Sequence, residues 1–410
     1  MIALPRSFWF LFAVQFISAL SDNIYRNALL IFVTFVLLAG QENSVPIVSL
    51  ASALFILPFF LFSGMAGRWA DRSHQDRAVR TLKAIEIPLM AVAMMALASG
   101  AIPIILGALF LLGTQAAFFG PLKYSLLPRL LPSSSLTVGN GYVEAATFIA
   151  ILIGTILGGV LIVLPQGIIY VGVLLGTLAI GAYILSHFLP DVPPEKIRSP
   201  QRPWDIIRGK SSLQRSIIGI SWLWFVGSAF LTLLPAFVSV TLQAVPAVAT
   251  FLMTVFSVGV ATGALLAAYL CKRLAPRTVI TAGLAGLCLA ATMILPLVTL
   301  VSLPLRAETL LTWLLTPGGI AVCGLMLGLA VCAGVFSVPL YTALQRESPD
   351  QMRAGIVAAN NVVNAGLMVA SAGLIMAANA LSLNPPQIFA VVGLLGLPVL
   401  FLLRRAGKLI

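Results

Sequence analysis

Long apolar runs, each broken by a short cluster of Arg, Lys, Pro or Gly, recur from one end of the chain to the other. They fall near 8–38, 46–67, 83–100, 102–121, 138–164, 168–189, 215–242, 246–271, 278–302, 316–342, 355–380 and 386–403. Most hold the ~20 residues that a helix needs to cross hydrocarbon about 30 Å thick. Twelve runs predict twelve transmembrane helices joined by short loops. The first differs from the rest. Its centre, Gln15 to Asn27, sets a carboxylate, an arginine and three amides into apolar sequence. The flanking apolar pieces are each too short to span alone, so they read as one long helix with a polar seam near its middle. Asp22 and Arg26 stand at i and i+4 on one helix face, where they can partly neutralise each other. Ionisable groups inside a membrane are costly and generally line a bundle interior or a water-filled path, so the seam is a candidate functional site. The alternative is an ion pair that only locks helix packing.

Composition fixes the class. A chain of 410 residues that is 60% hydrophobic and 9% charged, with mean hydropathy +1.07, is an all-α polytopic membrane protein rather than a water-soluble fold. Twelve spans leave no room for a soluble catalytic domain. The net charge of +12 reads as loop charge that sets topology, not as a nucleic-acid surface. If the amino terminus is cytoplasmic, cytoplasmic loops hold all 24 Lys and Arg except Arg26 and Arg306, which puts both termini inside. Cys271, Cys288, Cys323 and Cys332 lie in or beside apolar runs without metal-ligand spacing and read as small core residues. The first apolar run continues past any small-residue cleavage site, so no cleavable signal is expected. His74 and His187 stand isolated near membrane edges, and no nucleophile has a matching base. No enzyme, cofactor or metal site is expected.

The segment Pro190 to Ser212 contains Pro193, Pro194, Pro200 and Pro203 with Lys196, Arg198, Arg202, Arg208 and Lys210. It reads as a cytoplasmic linker (191–214) between an amino-terminal six-helix bundle (1–190) and a carboxyl-terminal one (215–410). The halves also echo each other. Gly120-Pro121-Leu122-Lys123-Tyr124 ends the fourth span as Val338-Pro339-Leu340-Tyr341 ends the tenth, and each precedes a helix that opens with an amide, at Asn140 or at Asn360-Asn361. Two side-by-side repeats of six spans is how the major facilitator fold is built. The second loop adds to this. Gly67-Arg68-Trp69-Ala70-Asp71-Arg72, with Arg77 following, resembles the major facilitator signature G-x-x-x-D-R. That resemblance implies a glycine for close helix approach, and Asp71, Arg72 and Arg77 pairing across the cytoplasmic end to hold one gating state. The matching loop of the second half, 271–277, keeps only basic charge, so the gating pairs should be asymmetric.

Within the spans the ionisable residues are Asp22, Arg26, Glu86, Lys123 and Glu144, all in the first half. Glu144 shares a helix face with Asn140, and Ala145, Ala146, Gly154, Gly158 and Gly159 suit close packing. Lys123 follows Pro121 near the expected helix end, where it either snorkels to the interface or offers a cation to a phosphate. The second half supplies Trp222, Trp224, Tyr341, Gln345, Asn360, Asn361 and Asn364. Asn360 and Asn364 share a face, with Asn361 about 100° away; interhelical hydrogen bonding is the competing reading. A cavity charged on one wall and amide-lined or apolar on the other suits an amphiphile with a zwitterionic head better than a sugar.

Gln15-Phe16-Ile17-Ser18-Ala19 running into Asp22-Asn23, Gly120-Pro121-Leu122-Lys123-Tyr124, Asn140-Gly141 with Val143-Glu144-Ala145, and Val338-Pro339-Leu340 with Gln345 resemble the bacterial lysophospholipid transporters of the major facilitator superfamily. Residues 22–29 and 358–362 look closer to the branch fused to an acyltransferase and an acyl-carrier-protein synthetase, domains this chain stops short of at Ile410. The resemblance implies movement of lysophosphatidylethanolamine-type lipids from the outer to the inner leaflet of the bacterial cytoplasmic membrane, for reacylation by an acyltransferase partner. By this analogy Asp22 meets the head-group amine, Lys123 holds the phosphate, and Asn23 and Glu144 shape the site; Arg26, Asn140, Tyr341, Asn360 and Asn364 complete the candidate set. Two departures bear on it. The family's basic residue midway along the seventh span is replaced by Phe230-Leu231-Thr232, and the acid after the glutamine ending the tenth by Arg346. Arg26 is the candidate substitute for the missing cation. The expected mechanism is alternating access by a monomer, with the lipid entering sideways because each CH₂ drawn into water costs about 0.8 kcal/mol. Pro58, Pro88, Pro235, Pro296 and Pro339 mark bends, either as hinges or as fixed kinks. The rivals are a proton-coupled exporter of small amphiphiles or drugs, with Asp22 or Glu144 as the proton site, and a non-transporting membrane subunit of a reacylation system.

Overall fold

The computed structural model describes residues 4–37, 44–195, 202–300 and 309–405, and among these the regular structure is helical throughout. The order is α1 (Arg6–Phe32), α2 (Ser44–Arg72), α3 (Gln75–Ser99), α4 (Ile102–Leu130), α5 (Leu136–Ile162), α6 (Gly167–Ser186), α7 (Pro203–Gly209), α8 (Ser211–Ala236), α9 (Pro246–Leu270), α10 (Pro276–Leu300), α11 (Leu310–Leu314), α12 (Pro317–Glu347), α13 (Arg353–Ala380) and α14 (Pro385–Arg405). One π-helical turn each, Val33–Leu37 and Phe237–Thr241, prolongs α1 and α8. Twelve of the helices are long and apolar enough to cross a membrane, as the apolar runs predict. The protein is a multi-pass membrane protein. Lys196, Arg198 and Pro200 of the expected linker, and Arg306, lie outside the described residues.

Two expected boundaries are wrong, for the same reason. Helix α3 begins at Gln75, eight residues before its apolar run, and α4 continues to Leu130 through Pro121 and Pro128. Both extensions carry polar residues that look like loop in a hydropathy reading but are held by partners in the structure: Asp76 accepts from Arg80 and from the Val192 N–H, Arg80 reaches the Ser186 carbonyl, and Arg129 pairs with Glu195. Pro121 therefore sits inside a helix rather than near its end. Proline is tolerated there because neighbouring groups re-satisfy the carbonyl it frees.

The chain forms two compact units. One comprises residues 1–139, 149–209 and 345–365. In it α2 packs along α4, and α6 and α4 each pack against both α1 and α3. Helix α5 meets α1 through glycines. A Cβ on Gly154 would lie 2.8 Å from both Asn23 Cβ and the Leu20 carbonyl oxygen, and one on Gly158 would collide with the Ile24 carbonyl. Only a hydrogen at these two positions lets the backbones approach so closely. The second unit comprises residues 140–148, 210–344 and 366–410. Here α10 packs along α14, and α8 also packs against α14. Phe230 of α8 lies on Phe389 of α14 with ring centroids 4.3 Å apart. Phe230 is thus a core packing position in this chain.

Gly158→Leu should lower the unfolding temperature of the detergent-solubilised protein by several degrees, the effect of an overpacking cost of about 1–3 kcal/mol. Gly176→Ala, where nothing lies within 4 Å of the added carbon, should leave it unchanged or raise it; equal effects would contradict the α1–α5 packing.

Candidate functional site

Lys83 and Glu86 are fully buried on α3 and form an ion pair, one turn apart. Lys83 Nζ also donates to Ser18 Oγ of α1 at 2.6 Å and lies 4.3 Å from the ring centroid of Phe119 on α4. Gln115 Nε2 of α4 donates to Glu86 Oε2 at 2.8 Å. Ser18 passes the chain on to the Val14 carbonyl at 2.7 Å. A lysine so enclosed cannot snorkel to water; a carboxylate, a hydroxyl and an aromatic face surround it instead. This network of three helices was missed in the sequence, which places Lys83 at the edge of a span among the loop cations. The i, i+3 spacing of Lys83 and Glu86, and a lone Gln115 in an apolar run, were its available signals.

Asp22 lies one turn above Ser18 on the same face of α1. Among the described residues its carboxylate makes no hydrogen bond and no ion pair; the charges that act on it are those of Glu86, Lys83, Lys123 and Arg26. The expected neutralisation by Arg26 does not become a salt bridge. The Arg26 guanidinium instead turns toward α2, 5.9 Å from the Phe55 ring centroid, with Nε buried and without a partner among the described residues. Lys123 stands one turn beyond Phe119 on α4, half-buried, with Nζ 4.9 Å from the Tyr124 ring centroid. Of these candidates Asp22 thus lies one turn from Ser18, Arg26 against Phe55 of α2, and Lys123 one turn from Phe119. Asn23 faces α5 instead, donating to the Ala19 carbonyl at 2.8 Å and abutting Gly154.

The remaining candidates fall in other places. In the second unit, buried Asn140 donates to Thr342 Oγ1 at 3.3 Å, Glu144 is buried one turn along α5, and Tyr341 accepts from Trp224 Nε1 at 3.1 Å. In the first unit, Asn360 is fully buried with neither amide atom partnered among the described residues, and Asn364 is buried one turn further along α13. At the end of α2, Asp71 Oδ1 and Oδ2 accept from the backbone N–H groups of Ala354 and Gly355 at 2.9 and 2.8 Å. A carboxylate from another helix thereby caps the start of α13, satisfying two orphan donors and the positive end of the helix dipole. Gly67 makes the approach possible, since a Cβ there would lie 2.8 Å from Gly355 Cα.

The sequence matches the model of the Major Facilitator Superfamily over residues 11–373. The chain belongs to that superfamily. It is a transporter. Curated relatives include the lysophospholipid transporter LplT of Escherichia coli O1:K1 / APEC, 28% identical over 378 residues that cover 88% of this chain and 85% of the relative. The LplT of E. coli O139:H28 (strain E24377A / ETEC) is 27% identical over the same shares. Among solved structures, the fold is shared with a bacterial homologue of the iron transporter ferroportin in an outward-facing state (TM-score 0.76, 16% identity, 98% of this chain and 100% of that one). It is shared also with the human organic anion transporter MFSD10 (TM-score 0.74, 16% identity, 97% and 100%).

In this major facilitator chain the loop charges are arranged differently from the expected pairs. Arg72 and Arg77 are exposed and have no side-chain partner among the described residues. Asp76 is instead the buried acid: Arg80 donates to it at 2.8 Å, and the Val192 N–H at 3.1 Å. His74, expected to stand alone, pairs with Asp191 at 3.0 Å, and Arg129 pairs with Glu195 at 3.3 Å. The first residues after α6 are thus tied to the ends of α3 and α4.

Glu86→Leu strands Lys83 in the membrane and should cost about 3–5 kcal/mol. Lys83→Met combined with Glu86→Leu should recover most of that loss. Unfolding temperatures of the three variants test this, and a double variant no better than Glu86→Leu would contradict the pairing.

Proposed function

We propose that this transporter moves lysophospholipids of the lysophosphatidylethanolamine type from the outer to the inner leaflet of a bacterial cytoplasmic membrane, where an acyltransferase partner reacylates them. The observation that carries the reading is Asp22, an intramembrane carboxylate with no bonded partner among the described residues, acted on by the cations Lys123 and Arg26. A zwitterionic head fits both signs. Its ammonium takes the place of the absent partner of Asp22, and its phosphate meets Lys123 and Arg26 as a charge-assisted acceptor. A neutral sugar would leave these charges unmatched. The names of the curated relatives support the same substrate class.

In this reading Glu144, Asn140, Tyr341, Asn360 and Asn364 supply amide, hydroxyl and acid contacts to the rest of the head group, and Asn23 acts indirectly by setting α1 against α5. Two six-helix halves, 1–190 and 215–410, joined by the linker 191–214, rock about the site with both termini cytoplasmic. The protein works as a monomer. Asp71 and Gly67, released from α13, and the basic Arg72 and Arg77 mark the cytoplasmic gate. The acyl chain remains in hydrocarbon throughout, since drawing it into water would cost about 0.8 kcal/mol per CH₂.

Uptake of labelled lysophosphatidylethanolamine into proteoliposomes tests the proposal. Wild type should transport it, and Asp22→Ala and Lys123→Ala, each folded and inserted, should lower uptake at least tenfold. No uptake by folded wild type would sink the substrate assignment.

A further inference from the structure

The loops of the two units differ in charge balance. In the first unit arginines meet acids: Arg80 pairs with Asp76, Arg129 with Glu195 and Arg353 with Asp350. Around the ends of α9, α10 and α14 the second unit lacks the acids. No Asp or Glu occurs from 206 to 307 or from 351 to 410, while Lys272, Arg273, Arg277 and Arg404 all fall in those stretches. The four are exposed, and none has a carboxylate partner among the described residues. Like charges held together without counter-ions repel, and an anion from outside the chain relieves that repulsion.

Packing brings these cations together. Helix α10 lies along α14, and the Arg277 guanidinium donates to the Arg404 carbonyl, so a cation closes the carboxyl-terminal end of α14 as the helix dipole favours. Lys272 and Arg273 stand in the turn that joins α9 to α10, a few residues before Arg277. Arg273 lies over the Tyr269 ring, 4.7 Å from its centroid. Exposed apolar side chains accompany the charges: Tyr269 and Leu274 beside Arg273, Phe401 and Leu402 just before Arg404. All three helices are long and apolar enough to cross a membrane, so these residues stand where the spans leave hydrocarbon. Cations at the level of the head groups, with aromatic and aliphatic side chains next to them along the spans, match a phospholipid, whose phosphate and acyl chains are disposed in the same order.

We propose that Lys272, Arg273, Arg277 and Arg404 form a docking face for an anionic phospholipid of the leaflet these helix ends enter, with its phosphate on the cations and its acyl chains along Phe401 and Leu402. Guanidinium groups suit the role, since each offers several N–H donors to phosphate oxygens and Arg277 spends only part of its set on α14. The lipid supplies the counter-ion that the second unit's own sequence omits, and by bridging the α9–α10 turn to the end of α14 it stabilises that end of the unit. The face shares no residue with the proposed head-group site and does not depend on the transported substrate.

The test uses purified, delipidated full-length protein in a neutral detergent with no lysolipid added. Thermal unfolding is followed as dioleoylphosphatidylglycerol, dioleoylphosphatidylcholine or glycerol phosphate is titrated in. Wild type should show a saturable rise in unfolding temperature with phosphatidylglycerol, weakened by salt, and little change with the other two. Lys272→Gln combined with Arg273→Gln and Arg404→Gln leaves the Arg277 bond in place and should raise the half-saturating phosphatidylglycerol concentration at least tenfold. Arg68→Gln combined with Arg72→Gln and Arg77→Gln removes the same charge from the first unit and should leave that concentration within about twofold of wild type. Should the first triple variant fail to fold, Arg404→Gln alone decides, with a weakening of about threefold or more expected. Equal responses to phosphatidylglycerol and phosphatidylcholine would overturn the lipid assignment and leave an acidic protein as the partner of this face. A full response to glycerol phosphate would overturn it in favour of a soluble anion, and equal weakening by the two triple variants would overturn the site itself. None of these results would touch lysolipid uptake, which is read separately.

Discussion

Taking a charge out of water into hydrocarbon is the constraint that shapes this protein's interior. Lys83 and Glu86 meet it by pairing with each other and by drawing in a hydroxyl from α1 and an amide and a ring from α4. Because the partners of this α3 pair come from α1 and α4, the pair fixes how far α1, α3 and α4 stand apart. Asp22 then sits at a set depth beside the network without being consumed by it. A carboxylate left in reserve within a membrane is costly, and such groups persist where they meet a ligand or an ion. The structural pair and the reserve acid are two outcomes of one electrostatic rule.

Helix approach and helix ends complete the arrangement. Gly154 and Gly158 allow α5 to close on α1 beside the polar seam, which holds Asp22 and Asn23 at fixed angles to each other. At the other end of the unit, Asp71 satisfies two backbone donors of α13 across a contact that Gly67 keeps thin. Such a cap is strong where it exists and leaves bare N–H groups where it is broken. A contact of that kind has two discrete positions, made or broken, rather than a continuous range.

Much of this was legible in the residues. Apolar runs gave all twelve spans, and the G-x-x-x-D-R loop and repeated proline motifs gave the superfamily. The polar seam of α1 stood out because charged residues are so rare in such runs. What escaped did so for physical reasons. Lys83 looked like loop charge because a hydropathy pattern cannot register a partner on another helix. The partners of Asp71 are backbone amides, which leave no mark in sequence, so its arginine neighbours were expected in their place. Asp22 and Arg26 have salt-bridge spacing, yet spacing does not reveal that Phe55 offers Arg26 an alternative face. That Phe230 packs on Phe389 is likewise a contact between helices distant in the chain, which the run of apolar residues around it does not disclose.

The central claim is that Asp22 reads a cationic head group. Equilibrium binding of lysophosphatidylethanolamine and of its N-acetylated analogue to the purified protein tests it most directly, since acetylation removes the positive charge while adding only a small neutral amide. Wild type should favour the charged lipid by tenfold or more, and Asp22→Asn should bind the two nearly equally. Equal binding of both lipids to wild type, or full discrimination surviving in Asp22→Asn, would contradict the account.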